Sequence, residues 1–424
     1  MRRRDFIKFS VIGGLASTLP LGACSLTPTK QATKLGKVVV VGGGYAGASC
    51  AKYLSIWSQG AIDVTVIEPN ANFISCPLSN LVLSGSKRIQ DLTFSYAALQ
   101  KNYPINWVRD KVEAIDTTQR LVKTPHAKFA YDHLILAPGI RFDYSALPTM
   151  NNAQAQLDIP HAWKAGEQTE RLFQQIQAMP AGGVFVMSIP KAPYRCPPGP
   201  YERVCQVAFY LKQNNPTAKI IVLDANPDIV SKKPLFSKVW QERYAGMIDY
   251  RPNSGLVEVD VNSRQVKTEF ETVSSDVLNI IPVQQAGDLA KMAGLLNAQE
   301  KWVEVDFLSY ASKAVKEVHV IGDAVASNLP KSAHMATSQA KVCAAAVVSI
   351  LQQKAPDPTP VFANTCYSFV DDKVAMHVAN VYRYDPEKQL MVAADGGGIS
   401  QAPSEQEGKF AYAWANNIWS DVLT

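Results

Sequence analysis

The sequence predicts an α/β fold: two Rossmann-like βαβ domains followed by a small C-terminal α+β domain. Three observations carry this expectation. A β-branched run at 37–41 enters Gly42-Gly43-Gly44-Tyr45-Ala46-Gly47, then a helix-like stretch to about Ser58 and a strand at 63–68. A second strand, loop, helix and strand begin at Gly183. A late strand at 318–321 ends in Gly322-Asp323-Ala324, ahead of an Ala-rich helix at about 338–352. Buried parallel strands read as short apolar runs, with helical crossovers between them.

The 424 residues suffice for two or three domains, and an apolar content of 47% suits a full core. We expect one domain from 36–155 and 285–355, a second from 156–284, and a third from 356–424. The last carries alternating aromatics (Tyr382, Tyr384, Phe410, Tyr412, Trp414 and Trp419) and reads as β-rich or as an interface layer. Net charge is +5, of which the first eight residues contribute +3. No long basic run occurs, which argues against a nucleic-acid partner. Seven cysteines include no C-x-x-C and no C-x-x-C-H, and six histidines include no H-E-x-x-H. Neither a haem attachment nor a metal site is expected.

Residues 1–24 read as an export signal. Arg3-Arg4-Asp5-Phe6-Ile7-Lys8 before an apolar stretch resembles a twin-arginine signal, with an ordinary secretory signal as the alternative. Leu21-Gly22-Ala23-Cys24 resembles a lipobox. Cys24 would then be a lipid anchor; cleavage without lipid is the plain alternative. The expected location is the periplasm, with membrane anchoring through Cys24. No later stretch reaches the ~18 uninterrupted apolar residues of a membrane span.

The first unit has the pattern of a dinucleotide site. Gly42 permits the tight turn, Gly44 lets the backbone approach a pyrophosphate, and Gly47 lets helix and strand pack closely. The helix N-terminus offers unpaired N–H groups to phosphate. Glu68, at the end of the next strand, can accept from ribose hydroxyls. Two later segments favour FAD over NAD. Tyr131-Asp132-His133-Leu134-Ile135-Leu136-Ala137-Pro138-Gly139 resembles the strand-to-turn segment of two-dinucleotide-domain flavoproteins. Val320-Ile321-Gly322-Asp323-Ala324 resembles their second FAD segment, which implies that Asp323 binds the ribitol, with Gly322 part of the same cofactor site. Across 36–355 the chain resembles the glutathione reductase-type flavoproteins.

In that class the second unit binds NAD(P)H through another glycine turn. Here the loop is Pro190-Lys191-Ala192-Pro193-Tyr194-Arg195-Cys196-Pro197-Pro198-Gly199-Pro200. Proline lacks the N–H, and Tyr194 and Arg195 block close backbone approach. The reductant is therefore expected to be something other than NAD(P)H.

This loop continues as Tyr201-Glu202-Arg203, and 195–203 resembles the active-site segment of flavocytochrome c sulfide dehydrogenases. Asn364-Thr365-Cys366-Tyr367-Ser368 resembles the segment of the partner cysteine, and 73–80, around Cys76, the segment whose cysteine bonds the flavin. The stretch 161–169 also matches, while Pro77 and Val325 depart from the pattern. The resemblance implies covalent FAD at Cys76 and a redox-active Cys196–Cys366 disulfide that oxidises sulfide. It also implies a c-type cytochrome as partner and acceptor. Residue by residue, plainer readings stay open. Cys196 and Cys366 could be a structural bridge and Cys76 a buried thiol. Glu202 could be a base or a first-turn carboxylate complementing a helix dipole. Lys331 could offset charge near the flavin, although a surface lysine is the simpler reading. Cys50, Cys205 and Cys343 read as packing residues. Tyr412, Trp414 and Trp419 are candidates for the cytochrome docking surface, or seal the C-terminal domain.

Two rival functions remain. One is a sulfide:quinone oxidoreductase, against which we count the lack of a legible amphipathic C-terminal helix. The other is a non-enzymatic, flavin-bearing envelope subunit, which would not bleach with sulfide.

Overall fold

A computed structural model describes residues 34–424; the segment read as an export signal, with Cys24, lies outside them. The first domain is built from β1 (Gly36–Val41), α1 (Tyr45–Trp57), β2 (Ile62–Ile67), β3 (Ile105–Val108) and β4 (His133–Leu136). The second contains β5 (Val184–Ile189), α2 (Gly199–Asn214), β6 (Lys219–Asp224), α3 (Lys233–Arg243), β7 (Ile248–Arg251) and β8 (Val277–Ile280). The chain then returns to the first domain with β9 (Val318–Val320) and α4 (Ala333–Leu351). It closes with β10 (Val361–Phe369), β11 (Ala375–Asp385), β12 (Leu390–Ala393) and α5 (Glu405–Leu423).

The first sheet has the order β9-β4-β1-β2-β3, and every pair is parallel. Val38, Val39, Val40 and Val41 at its centre are all buried, which is why they form an unbroken apolar run. The second sheet, β7-β6-β5-β8, is also fully parallel. An antiparallel pair, Ile140–Asp143 with Val283–Ala286, joins the two domains. The third sheet is antiparallel, with β10 paired to β11 from Val361–Arg383 to Phe369–Ala375. Residues 34–424 form a single compact unit.

The last segment differs from the expectation of a β-rich layer. Residues 405–423 form a 19-residue helix, α5. Phe410, Tyr412 and Trp414 alternate as in a strand, but Gly408, Ala411, Ala415, Ile418 and Val422 are buried at spacings of three and four, with Leu423 buried at the end. Ser404 caps the helix, accepting from the Glu407 N–H at 3.1 Å. The aromatic count masked the helical period of the smaller residues.

Candidate active site

A cavity of about 670 Å³ lies where the first and second domains and the C-terminal sheet meet. Its first wall is the glycine turn between β1 and α1. Gly42 adopts a φ of +105°, and a Cβ there would lie 2.5 Å from the Ala137 carbonyl oxygen. A Cβ on Gly47 would lie 1.8 Å from the Gly42 oxygen. Gly44 has nothing within 4 Å of its would-be Cβ and lines the cavity. No side chain caps α1. The buried Glu68 accepts from the Gly43 N–H at 2.6 Å and from Asn70 at 2.8 and 2.6 Å.

Gly139, with a φ of +61°, and Gly322, with a φ of +79°, both line the cavity. The Gly322 N–H donates to Gln339 Oε1 at 2.7 Å. Asp323 is deeply placed, and its Oδ1 has no hydrogen-bond partner. Burial raises its carboxyl above the ordinary value, partly offset by Arg195 and Lys331. An unpartnered acceptor in a cavity wall is costly unless a ligand donor meets it. With the open Gly44 cradle and the uncapped helix, it fits a dinucleotide whose ribitol hydroxyls reach Asp323. The residues present therefore fit FAD.

Lys331 is not on the surface. It is buried; Nζ donates to the Asp323 and Val325 carbonyls at 2.8 and 2.7 Å and sits 3.9 Å from the Trp302 ring centroid. Burial pulls its ammonium down to about 8, with Asp323 opposing. The simpler reading failed because the acceptors are main-chain oxygens, which sequence does not display.

Cys76 lines the same cavity on a loop held from three sides. Ser75 N–H donates to Leu92 O at 2.9 Å. Ser75 Oγ meets the Tyr45 hydroxyl at 2.7 Å and donates to Pro77 O at 2.9 Å. Trp419 Nε1, from α5, donates to Ser75 Oγ at 2.9 Å.

Cys196 and Cys366 line the cavity as well, both as free thiols. Cys196 has a φ of +59°, rare for a residue with a side chain. Its N–H donates to Lys331 O at 2.7 Å, and its carbonyl accepts from Gly199 N–H at 2.8 Å. Gly199 leaves room for the sulfur: a Cβ there would lie 2.9 Å from Cys196 Sγ. Cys366 sits on β10, with Asn364 Nδ2 3.6 Å from its sulfur. Burial raises both thiols; Arg195 and then Lys232 lower Cys196, whereas Lys232 is the chief lowering charge at Cys366.

Glu202, in the first turn of α2, does more than face the helix dipole. Its carboxylate accepts from Asn80 Nδ2 and from the Phe369 N–H, both at 2.8 Å. Burial raises its carboxyl despite these donors. Beside it, Arg203 is fully buried. It donates to the His161 and Ala162 carbonyls at 2.9 and 2.6 Å, to Asn279 Oδ1 at 2.9 Å and to Asn80 Oδ1 at 3.2 Å. Arg203 and Asn80 lie inside the strings singled out by resemblance, but neither type of residue announced this role.

The aromatics of α5 face inward. Trp419 packs on Phe94, Trp414 lines the cavity against Tyr367 and His334, and Tyr412 packs on Phe369. They close the C-terminal segment onto the rest, which corrects their reading as a docking surface. Phe410, 50% exposed, is the aromatic of this helix that faces outward. Cys50, Cys205 and Cys343 are buried away from the cavity lining, and Cys205 accepts from Trp240 Nε1 at 3.3 Å.

The fold and cavity define a flavin-dependent oxidoreductase built on two Rossmann-like domains, of which the first carries the dinucleotide turn. Residues 36–176 match the pyridine nucleotide-disulphide oxidoreductase model. Residues 169–282 match the central model of the sulfide dehydrogenase [flavocytochrome c] flavoprotein chain, and 358–423 match the flavocytochrome c sulphide dehydrogenase flavin-binding model. The sulfide dehydrogenase [flavocytochrome c] flavoprotein chain of Chlorobaculum thiosulfatiphilum is 54% identical over 46 residues, 11% of this chain and 94% of that sequence. The chain belongs to this flavoprotein family. It is also similar to the mitochondrial sulfide:quinone oxidoreductase of Mus musculus, at 24% identity over 70% of this chain and 66% of the mouse protein. The structure of the sulfide:quinone oxidoreductase of Aquifex aeolicus superposes with a TM-score of 0.73, at 19% identity over 91% of each chain, and shows the shared fold.

Proposed function

We propose that this protein oxidises sulfide through a Cys196–Cys366 disulfide and passes the electrons to a c-type cytochrome. One observation carries the reading: two cysteines far apart in sequence line one cavity with Glu202, and that cavity fits FAD. Hydrosulfide attacks one sulfur of the disulfide; the S–S bond breaks, leaving a persulfide on one cysteine and a thiolate on the other. Glu202, held by Asn80 and the Phe369 N–H, takes up the proton released as the persulfide ionises. Gly44, Glu68, Gly139, Gly322 and Asp323 would hold FAD, with Cys76 bonded to its ring. When bound, FAD supplies a two-electron sink that can be emptied one electron at a time. Arg203 fixes the 161–163 segment against the active loop, and Trp163 Nε1 donates to Arg195 O at 3.2 Å.

The C-terminal helix whose absence counted against a quinone acceptor is present as α5, so the choice of acceptor turns on its outer face. Its outward positions are mostly polar: Glu405, Gln406, Lys409, Asn416, Asn417 and Ser420, with Phe410 the large apolar exception. Among the described residues no helix is long and apolar enough to cross a membrane. A polar outer face supports a protein acceptor over a quinone dissolved in lipid. Residues 1–24 support export to the periplasm, with Cys24 as a lipid anchor.

Anaerobic titration of the purified protein with sulfide should bleach the flavin. A c-type cytochrome should then restore its colour faster than a soluble quinone. Failure to bleach favours the non-enzymatic subunit; faster recovery with quinone favours the quinone enzyme. For the flavin bond, acid precipitation should leave the yellow colour on the protein, and Cys76→Ser should release it.

A further inference from the structure

Lys232 is a buried cation that the mechanism above does not use. It precedes α3 with a φ of +54°, a conformation L side chains rarely adopt. Its neighbour Lys233 does what an ordinary lysine does: it is largely exposed and pairs with Asp228. Lys232 instead is only 5% exposed and extends from the second domain into the C-terminal sheet. There Nζ donates to Cys366 O at 3.0 Å, Ser368 Oγ at 2.9 Å and Met376 O at 3.4 Å. No carboxylate lies within ion-pair distance of it among the described residues. Burying an ammonium without a carboxylate is unfavourable, and a strained backbone adds to the cost. Such an arrangement persists where the charge has a use.

The charged and titratable groups that face Lys232 are, in order of influence, Cys366, Glu202, Cys196 and Glu407. The strongest of these is the cysteine whose own carbonyl it holds. Around the two sulfurs the environment is unequal. Cys366 has the Lys232 charge behind its main chain and the Asn364 amide at its sulfur. Cys196 is half-buried and stands in the cavity on a strained turn, where Arg195 weighs more than Lys232, so the Lys232 charge bears mainly on Cys366.

Resting on the proposed sulfide chemistry, we propose that Lys232 is a positioning residue that decides which sulfur leaves. Its charge stabilises the anion on Cys366. Hydrosulfide therefore adds to Cys196 Sγ; the S–S bond breaks and its electron pair goes to Cys366 Sγ. The products are the Cys196 persulfide and the Cys366 thiolate, with the disulfide itself as oxidant. A leaving thiol of lower proton affinity leaves faster. Burial pulls the Lys232 ammonium down to about 8, while Cys366, Glu202 and Cys196 hold it up, so the counter-charge is present below that pH.

The test uses holoprotein whose thiols are reduced with dithiothreitol. Alkylation of each cysteine by iodoacetamide is followed by peptide mass spectrometry across neutral pH. Cys366 should react at lower pH than Cys196 in the unaltered protein; the reverse order overturns the proposal with no variant needed. In Lys232→Met or Lys232→Gln, Cys366 alkylation near neutral pH should slow by about tenfold, as when a thiol's pKa rises by about one. Lys232→Arg should restore it, and Lys233→Met should change nothing. An unmoved Cys366 profile in a folded, yellow Lys232→Met protein also overturns it. Brief anaerobic sulfide exposure should place the extra sulfur on Cys196; finding it on Cys366 rejects the assignment. Finding it on neither rejects the sulfide reading itself, while a shifted alkylation profile would leave the charge assignment standing.

Discussion

The two Rossmann-like domains start from the same plan and end with opposite turns. In the first, β1 runs into three glycines, and Glu68 at the end of β2 keeps its carboxylate at the cavity wall. In the second, β5 runs into prolines, Tyr194 and Cys196. The acid at the end of β6, Asp224, is fully buried. Its Oδ2 accepts from Tyr201 and Tyr250 hydroxyls at 2.8 and 2.9 Å, and its Oδ1 from Asn226 Nδ2 at 2.7 Å. Donors of the protein itself fill both oxygens of this carboxylate. The same strand-turn-helix corner thus holds a nucleotide in one domain and presents a thiol in the other. Losing the glycines is only half of that conversion; filling the carboxylate is the other half.

The comparison breaks most visibly at the thiol corner. Cys196→Ser or Cys366→Ser should keep the fold and the flavin yet lose sulfide-dependent bleaching by about 10³-fold or more, as for groups that act as a unit. Retained activity per folded molecule, with lowered stability, would mark a structural bridge instead. At the nucleotide corner, Gly47→Ala drives a methyl into the Gly42 oxygen. Flavin retention after dialysis should fall at least about tenfold, because the clash exceeds the roughly 1.4 kcal/mol that a factor of ten represents. The sealed acid gives a smaller signal. Tyr201→Phe removes one donor from Asp224 and the acceptor of the Val230 N–H, and should cost about 1–2 kcal/mol in denaturant unfolding. Neither that variant nor the unaltered protein should be bleached by NADH or NADPH; rapid bleaching would refute the sealed-site reading.

The smallest effect is a pH slope. Burial raises the Glu202 carboxyl in the folded state, so the folded chain binds this proton more tightly than the unfolded one. Stability from this group is present below the ordinary glutamate value and is lost as pH rises through the raised one. Glu202→Gln should remove that slope. Unfolding free energies of the two proteins should diverge by about 1.4 kcal/mol for each pH step of one across this window. Parallel curves would mean that Asn80 and the Phe369 N–H already compensate the charge.

Much of this was legible because the sequence displays it directly. Apolar runs at 37–41, 184–189 and 219–224 give parallel strands of the two sheets. Glycines at 42 and 47 are required by contacts under 3 Å, while Gly44 leaves open space for a ligand to approach the backbone. What stayed hidden depends on partners remote in sequence. Lys232 and Lys331 look like solvated charges until the carbonyls of Cys366, Asp323 and Val325 are seen around them. The helix α5 was hidden by its own aromatics, whose alternation imitates a strand.

That helix also sets an order in time. Tyr45 begins α1, and Ser75 adjoins Cys76; both are made early in synthesis. Trp419 Nε1, which bonds both at 3.1 and 2.9 Å, is made some hundreds of residues later. Asp421 fastens the same helix to Tyr53 of α1 at 2.5 Å and to Lys341 of α4 at 2.8 Å. A nascent chain can therefore fold its first sheet and still lack the wall that steadies the flavin loop. A chain stopped before α5 carries every glycine of the nucleotide turn and keeps the Leu92 and Tyr45 contacts of the Ser75 segment, but lacks the Trp419 clamp beside Cys76. The last helix made is thus the one that completes the wall beside Cys76.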